Sequence, residues 1–155
     1  MNLGVDNERD TMLLQLTLGS SLIVLTALVA ALAWWILEIF LISTHKWAAA
    51  PPHGLKLTMA LSIAMIWTIV MMTASVWIWA IALWLLQIFD TFEASVYFAL
   101  VAFTTLGFGD VLLPVEWRLL SGLAAADGLL VFGLLTAMLV ETLRETRLRQ
   151  RGNTE

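Results

Sequence analysis

The sequence predicts an all-α membrane protein with three transmembrane helices and one shorter apolar segment that enters the bilayer without crossing it. Composition is the first observation behind this: of 155 residues, 61% are hydrophobic and 13% charged, far from an average soluble domain. Patterning is the second. Residues 11–37 and 57–89 carry no charge, and residues 119–140 carry only Asp127. Each run meets the requirement of about 20 mostly apolar residues for a hydrocarbon core about 30 Å thick.

The first run reads as a permanent span. A cleaved signal peptide needs a basic start and a short apolar region, whereas residues 1–10 are acidic and the run that follows is long. The second run, 57–89, exceeds what a tilted span requires, so part of it is expected along an interface. Trp77, Trp79 and Trp84 are candidates there for interfacial anchoring or for packing against neighbouring helices. No cysteine is present, which removes disulfides, thiolate metal sites and thiol nucleophiles.

The fourth apolar stretch, 94–109, is too short to cross and ends among glycines. Residues 94–104 suit a helix about 16 Å long, roughly half the hydrocarbon thickness. Asp90 or Thr91 can cap it, and Asp90 with Glu93 has the spacing of a capping box. Non-helical backbone at membrane depth is tolerated only where protein buries it or where it lines a water-filled path. A half-helix running into glycines therefore points to a pore.

Charge sets the expected sidedness. Arg144, Arg147, Arg149 and Arg151 lie after the third span, and Lys46, Lys56, His45 and His53 lie between the first two, where no acid occurs. Six of the eight Lys and Arg residues thus share one side. The positive-inside rule then predicts an outside N-terminus and a cytoplasmic C-terminus.

The segment Thr104-Thr105-Leu106-Gly107-Phe108-Gly109-Asp110 resembles the potassium-channel signature, Thr-Val-Gly-Tyr-Gly-Asp preceded by another Thr. The resemblance covers roughly residues 91–140 as pore helix, filter and inner helix, with 57–89 in the place of the outer helix. Residues 11–44 are extra relative to the minimal two-helix channel and resemble small prokaryotic channels with one preceding helix. The implied organisation is 1–56, an added helix and turn; 57–143, a pore domain; and 144–155, a short basic tail. A homotetramer in a prokaryotic plasma membrane is implied, with K⁺ as permeant ion. No other cofactor, no nucleic-acid partner and no catalytic activity follow.

The residues themselves suit that reading. Gly107 and Gly109 permit backbone conformations closed to other residues, so successive carbonyls can face one axis. Carbonyls of Thr105, Leu106, Gly107 and Phe108, with the Thr105 hydroxyl, can replace the hydration shell of K⁺ when four segments surround that axis. Leu106 and Phe108 side chains are then expected to pack behind the filter, supported by Thr104, Asp110 and Tyr97. The Tyr97 hydroxyl either binds Asp110 or is held by packing alone. Two departures from the family pattern bear on filter rigidity: Phe108 lacks the usual tyrosine hydroxyl, and Leu106 is bulkier than the usual valine.

The resemblance also makes Gly128 a gating hinge, and close helix packing is the alternative role for a glycine there. Asp127 costs about 2.5–3.5 kcal/mol at mid-span on insertion scales, so it must avoid lipid. Either it contributes to a ring of four carboxyls in the pore cavity, or it is hydrogen-bonded behind the pore helix. Glu38, near the end of the first span, is expected to snorkel or to pair with Lys46. Neither preceding span carries the periodic arginines of a voltage sensor. A weakly selective cation channel and a non-conducting accessory subunit stay open as alternatives, while His45 and His53, with no acidic cluster nearby, give an enzyme little support.

Overall fold

The computed structural model describes the backbone of residues 3–43 and 53–152, with the side chains of 9–39, 43, 58–59, 61–144 and 148. Among these residues the chain is helical, without strands. Four α-helices follow in order, α1 (Leu3–Ser43), α2 (His53–Leu85), α3 (Phe92–Phe103) and α4 (Arg118–Gly152), the last preceded by a 3₁₀ turn at Val115–Trp117. The stretches Arg9–Ile39, Leu61–Leu85 and Val115–Arg144 are long and apolar enough to cross a membrane. The Pro51-Pro52 turn and the Glu38–Lys46 pair involve residues outside those described.

α2 stops earlier than its apolar composition suggests. Gln87 adopts a left-handed conformation with φ 54°, its N–H donates to Trp84 O at 2.9 Å, and Ile88 N–H donates to Leu83 O at 3.2 Å. These two bonds are the Schellman arrangement that closes a helix. Residues 86–89 therefore leave the helix and turn toward α3, and Leu86, Ile88 and Phe89 pack against the core.

α3 begins at Thr91, whose backbone is extended and whose side chain accepts the Ala94 N–H at 3.2 Å. Thr91 is thus the cap, which puts Glu93 at the second helical position. A capping box needs the acid at the third, so the expected Asp90–Glu93 pairing gives way to Thr91 alone. Glu93 still complements the positive end of the helix.

The core forms where α2, α3 and α4 meet. Val76, Trp79, Ala80 and Leu83 face Phe98, Ala99, Ala102 and Phe103, and Leu120, Ala124, Val131 and Leu135 complete it. Within each helix these positions recur at three- and four-residue spacing, the period of one helical face. Alanines at 80, 99, 102 and 124 allow close backbone approach, which matters in lipid because packing replaces the hydrophobic drive between helices. α1 lies along α4 and touches α2 more lightly. α4 runs without a break through residue 143 to Gly152, so the helix continues beyond the apolar stretch that ends at Arg144.

Candidate functional site

The end of α3 and the loop after it have an unusual backbone. Thr105, Gly107 and Gly109 have positive φ, at 58°, 57° and 77°, whereas Leu106 and Phe108 do not. Such alternation of handedness turns successive N–H groups to one side and carbonyls to the other. Hydrogen bonds give the direction: the N–H groups of Leu106 and Gly107 both return to Val101 O, at 3.0 and 3.4 Å. Across a trans peptide the preceding carbonyl points opposite to the N–H. The Thr105 and Leu106 carbonyls are accordingly aimed away from α3. A β-branched threonine with positive φ costs on the order of 1–3 kcal/mol; the bond from its N–H to Ala102 O at 2.9 Å holds it there. Thr104 Oγ1 donates to Leu100 O at 2.8 Å and ties the last turn of α3.

The far end of the loop is fixed by a side-chain pair. The Tyr97 hydroxyl donates to Asp110 Oδ2 at 2.5 Å, joining the two residues that the sequence left undecided. This bond holds the Asp110 carboxyl below its usual range and pushes the Tyr97 phenol above its usual value. A charge-assisted bond of this length is among the stronger kinds.

Leu106 and Phe108 do not pack behind the loop within one chain. They are 57% and 68% exposed. Below the loop an open, mostly apolar cavity of about 280 Å³ is bounded by Thr104, Thr105, Gly128 and Phe132.

Asp127 departs from the cavity-ring expectation. Its side chain is 1% exposed and lies where α1, α2 and α4 meet. Trp79 Nε1 donates to Oδ2 at 2.7 Å, and Thr26 Oγ1 stands 2.9 Å from Oδ1 and 2.8 Å from Oδ2. With its oxygens occupied inside one chain, Asp127 cannot present them to a cavity. Gly128, the next residue, is a close-packing site: a Cβ built there would lie 1.8 Å from the Phe103 carbonyl oxygen and 2.6 Å from its carbon. Its φ is not positive, so space rather than backbone conformation demands the glycine. The tryptophans also divide: Trp79 is fully buried, whereas Trp77 and Trp84 are about half exposed and meet Phe92 edge-on.

Thr26 and Gln15 went unrecognised in the sequence. Gln15, 5% exposed, accepts the Leu119 N–H at 3.0 Å and so caps the start of α4. One signal was available: Gln15, Gly19, Thr26, Ala30 and Ala33 are polar or small residues on one face of a helix otherwise rich in leucine, the pattern of a packed membrane helix face.

Three helices able to cross a bilayer, with a shorter apolar helix and a glycine-containing loop set between the last two, define an integral membrane protein of the pore-forming kind. A family model described as an ion channel matches residues 59–145, more than half of the chain. The chain belongs to that ion-channel family. No match was found among curated proteins or among solved structures.

Proposed function

We propose that four copies of this chain surround one axis and conduct K⁺ selectively through a filter made of residues 105–109. The observation that carries the reading is the aim of the Thr105 and Leu106 carbonyls away from α3, within a run whose φ alternates in sign. α3 is then the pore helix, α2 the outer helix and α4 the inner helix. Rings of carbonyls from Thr105, Leu106, Gly107 and Phe108, with the Thr105 hydroxyl, replace water around the ion. One chain supplies only one wall of such a path, and a neighbouring subunit covers the exposed Leu106 and Phe108. The partial negative charge at the end of the pore helix faces the cavity below and favours a cation there.

The pore domain in this reading is residues 57–143, the membrane is a prokaryotic plasma membrane, and the N-terminus is outside. A second reading, a weakly selective cation channel, is favoured by Phe108, whose ring has no hydroxyl to fix the filter and lies 68% exposed.

Flux from proteoliposomes of purified protein tests both. K⁺ flux well above Na⁺ flux is expected. Equal fluxes favour the weakly selective channel, and no flux favours an accessory subunit. Native mass spectrometry in mild detergent is expected to give a tetramer, and a monomer or dimer that still conducts K⁺ would overturn the assembly.

A further inference from the structure

α1 lies outside the residues matched by the channel family, yet polar contacts join it to the inner helix at two levels. Gln15 accepts from the Leu119 backbone at the start of α4, and Thr26 meets Asp127 further along. Between them, Gly19 brings α1 against Leu123, where a Cβ would lie 2.3 Å from Leu123 Cδ1. The second level leads toward the filter. Asp127 adjoins Gly128, Gly128 touches the Phe103 carbonyl, and Phe103 is the last residue of the helix that ends at Thr104 and Thr105. The path from Thr26 to the candidate filter is contiguous.

Donor counting favours one state of this cluster. A threonine hydroxyl has one hydrogen to donate, but Thr26 Oγ1 lies 2.8 Å from Ile23 O as well as close to both Asp127 oxygens. An ionised Asp127 and the Ile23 carbonyl would compete for that hydrogen. With a proton on Oδ1, Asp127 donates to Thr26, Thr26 donates to Ile23 O, and Trp79 donates to Oδ2. Each donor then has one acceptor and no net charge is buried, which suits a site where burying charge is costly.

We propose that α1 is a positioning helix for the filter, acting through the hydrogen-bond chain from Trp79 through Asp127 and Thr26 to the Ile23 carbonyl. The chain fixes the height and rotation of α4 at Gly128, and through the Gly128–Phe103 contact it sets the end of the pore helix. Thr26, Trp79 and Asp127 are positioning residues and touch no permeant ion. This inference rests on the proposed K⁺-channel reading.

The test is the K⁺ to Na⁺ permeability ratio of reconstituted wild type, Thr26→Val, Thr26→Ser, Trp79→Phe and Asp127→Asn. Valine keeps the shape of threonine and removes its hydroxyl, and phenylalanine removes the indole N–H. Each is expected to lower the ratio about tenfold, comparable to the loss of one hydrogen bond per subunit, in protein that still assembles. Thr26→Ser restores the hydroxyl and is expected to restore the wild-type ratio. Asp127→Asn offers an amide donor in place of the acid proton and is expected to remain near wild type. An infrared band of a protonated carboxyl is expected in wild type and is expected to be lost in Asp127→Asn.

A wild-type ratio in Thr26→Val and Trp79→Phe would overturn the inference. So would a Thr26→Ser protein as impaired as Thr26→Val, because the contact would then be one of shape. If Thr26→Val fails to assemble, Trp79→Phe alone decides. Wild-type protein that conducts without K⁺ preference defeats the channel reading instead, and the two failures are distinct.

Discussion

Residues 105–109 and residues 127–128 both bring polar groups and glycines into an apolar protein, but they complete their bonding differently. Gly107 and Gly109 have positive φ and nothing within 4 Å of where a side chain would start. Gly128 has an ordinary φ and a backbone carbonyl where a side chain would start. Asp127 meets its partners inside one chain, whereas the Thr105 and Leu106 carbonyls face away from the helix that carries them. One region is finished by folding, and in the proposed tetramer the other is finished by assembly. The contrast separates residues that stabilise a subunit from residues that, in the proposed channel, act between subunits.

The largest expected effect is at the unfinished region. Gly109→Ala places a methyl group on a residue with φ 77°, at a cost of about 1–2 kcal/mol per subunit, and in the proposed filter would rotate a carbonyl out of its ring. Loss of K⁺ preference or of conduction is expected in flux assays, and Gly107→Ala should behave alike. A permeability ratio unchanged by both substitutions would remove the filter assignment. Because open space surrounds both positions within one chain, the fold of the subunit is expected to change much less than conduction.

At the finished region the order reverses. Gly128→Ala drives a Cβ into the Phe103 carbonyl, a backbone group that cannot swing aside. Overpacking of this kind costs about 1–3 kcal/mol, so a lower thermal midpoint of the detergent-solubilised protein is expected before any change in selectivity. Gly133, with nothing within 4 Å of its built Cβ, is the matched comparison. Gly133→Ala should leave the midpoint unchanged or raise it, since alanine favours a helix over glycine by about 0.5–1 kcal/mol. Equal midpoints for the two alanine variants would deny the contact its role.

The two regions were unequally legible in the sequence. Three charge-free runs were enough for the long helices, because a bilayer imposes length and composition directly. The glycines at 107 and 109 announced a local backbone need, which is readable within seven residues. Asp127 announced only that it had to avoid lipid. Its partners stand 101 and 48 residues away, and no spacing rule links them, so a cavity and a buried cluster could not be told apart. Gly128 was ambiguous for the same reason: a hinge and a contact ask for the same residue. The end of α2 was hidden differently, since its left-handed position is Gln87, where glycine or asparagine is the usual signal.

The smallest expected effect lies at the edge of the candidate filter and sharpens the comparison through pH. Asp110 is exposed, unlike Asp127, so its single strong partner is tested by titration. The bond from Tyr97 lowers the Asp110 pKa from its usual 3.8 and raises that of Tyr97 from 10.0. A lowered carboxyl pKa stabilises the folded loop above the unfolded value, and that contribution is lost as pH falls through the folded value. A raised phenol pKa contributes fully below 10.0 and loses its contribution as pH rises through the higher folded value. The bond therefore holds across neutral pH and releases at both extremes. In Tyr97→Phe the Asp110 midpoint should move up toward 3.8, and the acid limb of K⁺ flux, measured against external pH, should move with it. Near neutral pH the variant is expected to conduct with a modest loss of selectivity, because the bonds from the Thr105, Leu106 and Gly107 N–H groups to α3 do not involve the phenol. An acid limb identical in wild type and Tyr97→Phe would show that the Tyr97–Asp110 bond does not support the conducting loop.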